Sequence, residues 1–290
     1  MSLQVVVLLA AVACARAASV GAGGHEPIML DYHDAWGVPE ATRIRQAEQA
    51  FDFDGSRIFG GSAASVGAHP HLGGLIVVLP DNRQSVCGSS LLTNTRSVTA
   101  AHCWIVRGQT ARSLTIVFGS NRLFSGGVRL TTTSVTTHAN YNPNNLNNDV
   151  GIVNHGFVSF TNTVNRVLLP SGSNTFANTW GVAAGYGSTG HNVPINNNQG
   201  KNHANLLIIS NAECMTTFGP TIISSTLCAR GQNSASICPG DSGGPLTIGS
   251  GNNRQLVGIS SFVSARGCHL GMPGGFARVT SFRSWIDARI

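Results

Sequence analysis

Ser242 sits between an acid and two glycines in Cys238-Pro239-Gly240-Asp241-Ser242-Gly243-Gly244-Pro245. Glycines allow a tight turn that a Cβ would obstruct. Such a turn can push a hydroxyl out of the surface and leave backbone N–H groups beside it, giving a nucleophile both exposure and donors for an oxyanion. A serine hydroxyl is weakly nucleophilic at its free pKa, so the chemistry also needs a base and an orienting acid. Upstream, Thr99-Ala100-Ala101-His102-Cys103 supplies an imidazole, and Asn148-Asp149-Val150 supplies a carboxylate. The order His, Asp, Ser is one of the chain orders in which such a triad occurs. Taken singly, His102 reads as a core histidine, Asp149 as a loop cap and Ser242 as a turn serine. Together they point to acyl transfer through a serine.

Side chains so far apart in sequence need a scaffold to bring them together. Apolar runs at residues 75–79, 89–92, 97–101, 114–118, 128–135, 150–153, 182–184, 206–209 and 256–261 are separated by Gly, Asn, Ser and Pro turns. Many short strands with no solenoid repeat predict an all-β domain. Residues 140–148 include six asparagines, which predicts a surface loop leading into Asp149. Residues 185–202 are similarly loose. The chain is expected to end in one amphipathic helix capped by Thr280 or Ser281, with Phe282, Trp285, Ile286 and Arg289 on one stripe.

With 290 residues, 42% hydrophobic and 10% charged, the chain can bury a large core. Residues 3–13 are apolar and are followed by Ala15, Ala17 and Ala18, so residues 1–17 read as a secretory signal peptide. The run is too short to span a bilayer, and membrane attachment is not expected. Cys14 would leave with the signal. An even set remains in a secreted chain, Cys87, Cys103, Cys214, Cys228, Cys238 and Cys268, which reads as three disulfides with the pairing left open by spacing. The CxxC spacing of zinc sites is missing, and neither metal nor cofactor is expected. Charge is uneven: residues 19–57 carry seven acids and three arginines, whereas residues 58–290 carry fourteen bases and five acids. The bases are scattered singly without interleaved aromatics, which argues against a nucleic-acid partner.

The three motifs, in order, resemble those of the chymotrypsin-like serine peptidases, nearest to the midgut chymotrypsins of insects and of Lepidoptera in particular. The resemblance spans residues 58–290. It implies two six-stranded antiparallel β-barrels with a boundary near residues 165–175 and the triad in the cleft between them. It pairs Cys87 with Cys103, Cys214 with Cys228, and Cys238 with Cys268. It makes Ser242 the nucleophile, His102 the base, Asp149 its orienter, and the N–H groups of Gly240 and Ser242 the oxyanion hole. Residues 18–57 then form an activation propeptide, with a short helix predicted over 42–51 in an otherwise irregular stretch. The cut falls at Arg57–Ile58 in Gly55-Ser56-Arg57-Ile58-Phe59-Gly60-Gly61, where Phe59 replaces the usual Val. The freed Ile58 amine, needing a partner once buried, would pair with Asp241. The implied partners are protein and peptide substrates, a trypsin-like activator and protease inhibitors. The implied state is a secreted monomer of the gut lumen.

In the specificity pocket the chain departs from the family pattern. Ser236 stands at the pocket base, where trypsin-like enzymes carry an acid. Ile237 is larger than the small residue usual beside it, and Val263 follows Ser261-Phe262 where chymotrypsins carry glycine. Gly274 leaves the facing wall open. By resemblance, the Ser261 carbonyl holds the substrate backbone. These residues describe a neutral, narrowed slot and cleavage after apolar residues. A cascade-processing protease or a catalytically silent homologue would use the same scaffold. The first usually carries a disulfide-rich regulatory domain, which residues 19–57 lack, and the second usually lacks a triad member. Seventeen of the eighteen basic residues are arginine, which keeps its charge at pH values where lysine loses it and suits an alkaline medium.

Overall fold

The structure is a computed structural model and describes residues 24–49, 62–188 and 201–290. The leader, the Arg57–Ile58 bond and much of the loose stretch 185–202 lie outside the described residues.

Among the described residues sixteen strands follow in chain order: β1 (Ser62–Ala63), β2 (Leu72–Val78), β3 (Gln84–Thr93), β4 (Arg96–Thr99), β5 (Ile105–Val106), β6 (Gln109–Thr110), β7 (Ser113–Phe118), β8 (Val128–Thr132), β9 (Val135–Thr137), β10 (Gly151–Asn154), β11 (Trp180–Gly185), β12 (Asn202–Ile209), β13 (Thr226–Gly231), β14 (Pro245–Ile248), β15 (Gln255–Phe262) and β16 (Gly274–Arg278). They form the expected chymotrypsin-like architecture. The first sheet, in the order β8-β7-β2-β3-β4-β10-β9, curls into a half-barrel. The second closes as a six-stranded barrel, β12-β11-β14-β15-β16-β13, because β13 returns to pair with β12; β1 adds to its edge through β12. Strands from β2 to β10 build the first unit, and no strand occupies residues 155–179 before the second. Each unit buries its own apolar side chains, with Leu75, Val77, Leu91, Val98, Leu114 and Ile116 in the first and Leu206, Ile208, Leu227, Leu246, Val257 and Phe276 in the second.

Local chemistry explains where elements depart from the sequence pattern. The run 128–135 splits into β8 and β9, because Ser134 receives Asn154 through N–H to O at 2.9 Å and Nδ2 to Oγ at 3.0 Å. Helix α2 (Asn211–Phe218), which periodicity does not announce, starts where the Ser210 hydroxyl accepts the Glu213 N–H at 3.1 Å. The closing helix α3 (Val279–Asp287) begins ahead of the predicted cap, and Thr280 donates instead to the Asn174 carbonyl. Phe282 and Ile286 are buried, and the Arg289 guanidinium lies over the Trp285 ring. Lys201, the only lysine, is 2% exposed with Nζ donating to the Val66 carbonyl; burial lowers its pKa to about 8.

Residues 24–49 are far more ordered than the sequence suggests. After an extended run through residue 31, a π-helical turn (His33–Gly37) leads into α1 (Val38–Gln49). The helix therefore begins upstream of the predicted 42–51. Ala41, Ile44 and Ala47 are buried, with Ala41 and Ile44 packing against Leu72, Ile76, Val86, Leu123 and Tyr186. Burial of that face, rather than intrinsic periodicity, fixes the helix.

Candidate active site

His102 lies on a 3₁₀ turn (Ala101–Cys103) immediately after β4, where the chain leaves the sheet at Ala100. The disulfide Cys87–Cys103 ties this turn back to β3. Asp149 ends the asparagine-rich loop one residue from Val150, whose carbonyl accepts the His138 N–H at 2.9 Å. The two side chains meet with His102 Nδ1 2.7 Å from Asp149 Oδ2. The His102 backbone N–H donates to Asp149 Oδ1 at 2.9 Å, and the Ser261 hydroxyl donates to Oδ2 at 2.6 Å. Asp149 is 1% exposed and His102 4%. A buried carboxylate with three donors fixes the imidazole's orientation and leaves Nε2 as the atom free to exchange a proton.

Ser242 lies between two backbone features that only glycine supplies cheaply. Gly240 has φ +99° and Gly243 φ +79°. A Cβ on Gly240 would come within 2.6 Å of Gly187 Cα, and one on Gly243 within 2.5 Å of the Gly88 carbonyl. The Gly88 N–H donates to the Ser242 carbonyl at 2.6 Å, and the Gly243 N–H to the Ser260 carbonyl at 2.7 Å. The turn is thus clamped between β3 and β15, and Cys238–Cys268 ties its entrance to the segment after β15. Cys214–Cys228 joins α2 to β13, away from this turn.

Asp241 points inward. It accepts the N–H groups of Gly187 at 2.9 Å and Cys238 at 3.0 Å. Burial raises its pKa to about 7 against those donors, and the nearby Glu40 carboxylate adds to the rise.

Ile237, Cys238, Ser242, Ser261, Phe262 and Val263 line one void of about 20 Å³. Ser236 and Gly274 do not line it. Ser236 is buried, and its hydroxyl has no hydrogen-bond partner among the described residues. The Ile237 side chain lies over Gly274, where a Cβ would be 2.8 Å from Ile237 Cγ1. Among the described residues, one trio of His and Cys side chains comes within mutual ligand distance, Cys87, His102 and Cys103. Its sulfurs are joined in a disulfide and offer no thiolate.

Several residues of this site were not singled out from the sequence. Met29, Tyr32 and Trp36 line the same void from the other side. The Gly240 N–H donates to Tyr32 Oη at 3.1 Å, and that hydroxyl donates to the Val86 carbonyl at 2.7 Å. The phenol lines the same void as Ser242, and its ring meets His102 edge-on at 5.0 Å. His33 bridges Ser85 Oγ at 2.8 Å and the His102 carbonyl at 2.9 Å. The Ser261 hydroxyl on Asp149 was likewise not anticipated. The available signals were the aromatic cluster Tyr32-His33-Asp34-Ala35-Trp36, in a chain only 7% aromatic, and the acidity of its surroundings.

Residues 58–286 match the family described as Trypsin. The chain is 35% identical to a collagenase of Hypoderma lineatum over 82% of its length and 88% of that protein. It is 34% identical to serine protease 1 of Drosophila melanogaster over 79% of this chain and 84% of that one. It is 32% identical to trypsin delta of the same fly over 98% of both chains. The solved structure of HL collagenase superposes with a TM-score of 0.72 at 35% identity, covering 80% of this chain and 97% of that one.

Proposed function

The chain belongs to the trypsin family of serine peptidases, and from that premise we propose that it is a secreted digestive endopeptidase, made as a zymogen, that cleaves protein chains after apolar residues. The observation that carries this reading is the His102–Asp149 pair at 2.7 Å beside a glycine-built turn bearing Ser242. In this mechanism Ser242 Oγ attacks the substrate carbonyl while His102 Nε2 takes its proton. The same nitrogen then returns the proton to the leaving amine. Asp149 stabilises the imidazolium without itself becoming protonated. The Gly240 and Ser242 N–H groups receive the oxyanion, and each such donor contributes about 3 kcal/mol in enzymes of this chemistry. A deacylating water repeats the sequence with His102 as its base.

Activation is read as cleavage at Arg57–Ile58, and the start of the family match at residue 58 supports it. Strand geometry supports it as well. Ala63 pairs with Asn202, Asn202 pairs with Gly185, and Asp241 Oδ1 abuts Gly185. Neighbouring strands are about 4.8 Å apart, so Ala63 lies roughly 10 Å from Gly185. The stretch from Ile58 to Ala63 can extend to about 17 Å, enough for a new amine to reach the Asp241 carboxylate. An ammonium there would lower the Asp241 pKa from its raised value and draw the turn into its working shape. Lack of an acid at Ser236, with Ile237 over Gly274, supports a neutral pocket.

The test starts from the purified full chain. Trypsin treatment should yield a chain beginning at Ile58 that hydrolyses peptide amides, and Arg57→Gln should block its formation. A serine-directed phosphonylating reagent should label Ser242 alone, and Ser242→Ala should reduce hydrolysis to background. Full activity of uncut Arg57→Gln protein, or labelling at another serine, would refute the reading.

A further inference from the structure

Residues 24–49 do not trail away from the domain; they occupy its substrate cleft. Ile28 bridges Ser264 antiparallel, the Met29 N–H donates to the Val263 carbonyl at 3.2 Å, and the Ala265 N–H donates to the Pro27 carbonyl at 2.8 Å. This short strand lies on the segment that follows Ser261 and Phe262, beside Ser242. Past Met29 the chain stops being extended. Tyr32 is already helical at φ −56° and ψ −49°, and its phenol oxygen takes the Gly240 N–H proposed for the oxyanion. Among the described residues that donor meets the phenol oxygen and not a peptide carbonyl, so the segment fills the cleft without offering a bond to cut. Trp36 packs against the cluster holding Ile237 and Val263, and only about 20 Å³ of the cleft is left beside it.

Two further anchors hold the segment. Ile44 (1% exposed) and Ala41 lie in the apolar groove of Leu72, Ile76 and Val86. Glu48 closes the helix end by accepting the Phe124 N–H at 3.0 Å and the Leu123 N–H. The acids meet arginines of the domain: Asp34 binds Arg83 at 2.6 Å and also Arg107, and Glu26 binds Arg266 with Nε at 3.0 Å. The opposed charges of the two parts of the chain thus face each other across a contact. No cysteine of residues 19–57 ties it down covalently.

We propose that the pro-segment is a reversible inhibitor of the mature domain, one that remains seated in the cleft after the Arg57–Ile58 bond is cut and that binds again in trans, with Tyr32 blocking the oxyanion site. The proposal rests on reading the domain as a serine peptidase. Cleavage alone then does not switch the enzyme on; dissociation of the segment does. Release is set by concentration and salt, since ion pairs at the surface are screened as ionic strength rises.

The full chain, cut with immobilised trypsin, provides the test. Gel filtration and mass spectrometry follow whether the intact pro-segment co-elutes with the domain, while amide hydrolysis and phosphonyl labelling of Ser242 follow the cleft. At about 1 μM the cut protein should show at least tenfold less activity than after hundredfold dilution or removal of the segment in high salt. Labelling of Ser242 should be suppressed in parallel. Adding back the recovered segment should restore inhibition competitively with substrate. Tyr32→Ala should weaken inhibition by tenfold or more with the mature sequence unchanged, and Asp34→Asn should weaken it less and reduce its salt dependence. Separate elution with full activity at about 1 μM, or co-elution without inhibition, overturns the proposal. If Ser242 is neither labelled nor active once the segment is gone, the peptidase reading has failed, whereas co-elution reports on docking regardless.

Discussion

Asp149 receives three hydrogen bonds inside 3 Å, from the His102 ring, the His102 N–H and the Ser261 hydroxyl. The last was invisible in the sequence, where Ser261 counted for its carbonyl. A hydrogen bond to a charged group contributes about 1.5–3 kcal/mol. Ser261→Ala should therefore lower kcat roughly tenfold or more with little change in KM. An unchanged kcat would contradict that role. The pocket makes a second prediction. With Ile237 and Val263 both buried beside Ser242, leucine and methionine should be preferred to tyrosine before the cut bond, and arginine should fail. Val263→Gly should raise the aromatic-to-aliphatic ratio of kcat/KM in a peptide-library assay. A wild-type preference for tyrosine over leucine above about tenfold, or 1.4 kcal/mol, would show that these side chains do not narrow the slot.

Gly275 in β16 shows why some strands escape notice in a sequence. The Phe262 ring fills the place of its side chain, and a Cβ there would fall 2.2 Å from Cζ. A strand with two glycines and one phenylalanine shows no alternation, yet the ring from β15 completes its face. Gly275→Ala should destabilise the domain by about 1–3 kcal/mol through overpacking, read as a lower urea midpoint at unchanged slope. β13 and β14 escaped for related reasons. β13 mixes Thr, Cys, Arg and Gly without a period, and the four-residue β14 emerges directly from the Ser242 turn at Pro245. By contrast β2, β7 and β15 were legible because each is a longer strand with clustered, largely buried apolar residues. The residues proposed as a triad were legible because that chemistry tolerates few residue types at each position. Helix α1 was only partly so: its apolar face is three small or branched residues, and while Arg43 pairs with Glu40 one turn back, Arg45 and Glu48 find partners distant in sequence.

Across the whole protein, buried histidines set the acid limit. Burial lowers His33 to about 4 and His69 to about 3, and holds His71 well below 6.5. Between those values and about 6.5 the unfolded chain binds protons that the folded chain refuses, so stability falls as pH drops through that window. For His33 the difference corresponds to roughly 3 kcal/mol. Asp241, raised to about 7, and Glu40 and Glu48, also raised by burial, act in the opposite sense, but they are three groups against six histidines that burial lowers. Lys201 works at the other end. Its pKa near 8 means that stability rises with pH from about 8 to 10.5. Scanning calorimetry of the uncut Ser242→Ala chain should show Tm falling from pH 6.5 to 4 and holding or rising from pH 8 to 10. A flat acid limb would show that these histidines are not buried neutral. The burial of that one lysine reaches further. A reagent that acylates amines and spares guanidinium groups finds no lysine side chain at the surface of the described residues. Label therefore enters at α-amines alone. Cutting the chain creates a second such amine at Ile58, and seating it on Asp241 would hide it again. Counting tags per polypeptide would then distinguish uncut, cut-but-open and fully assembled protein without any substrate.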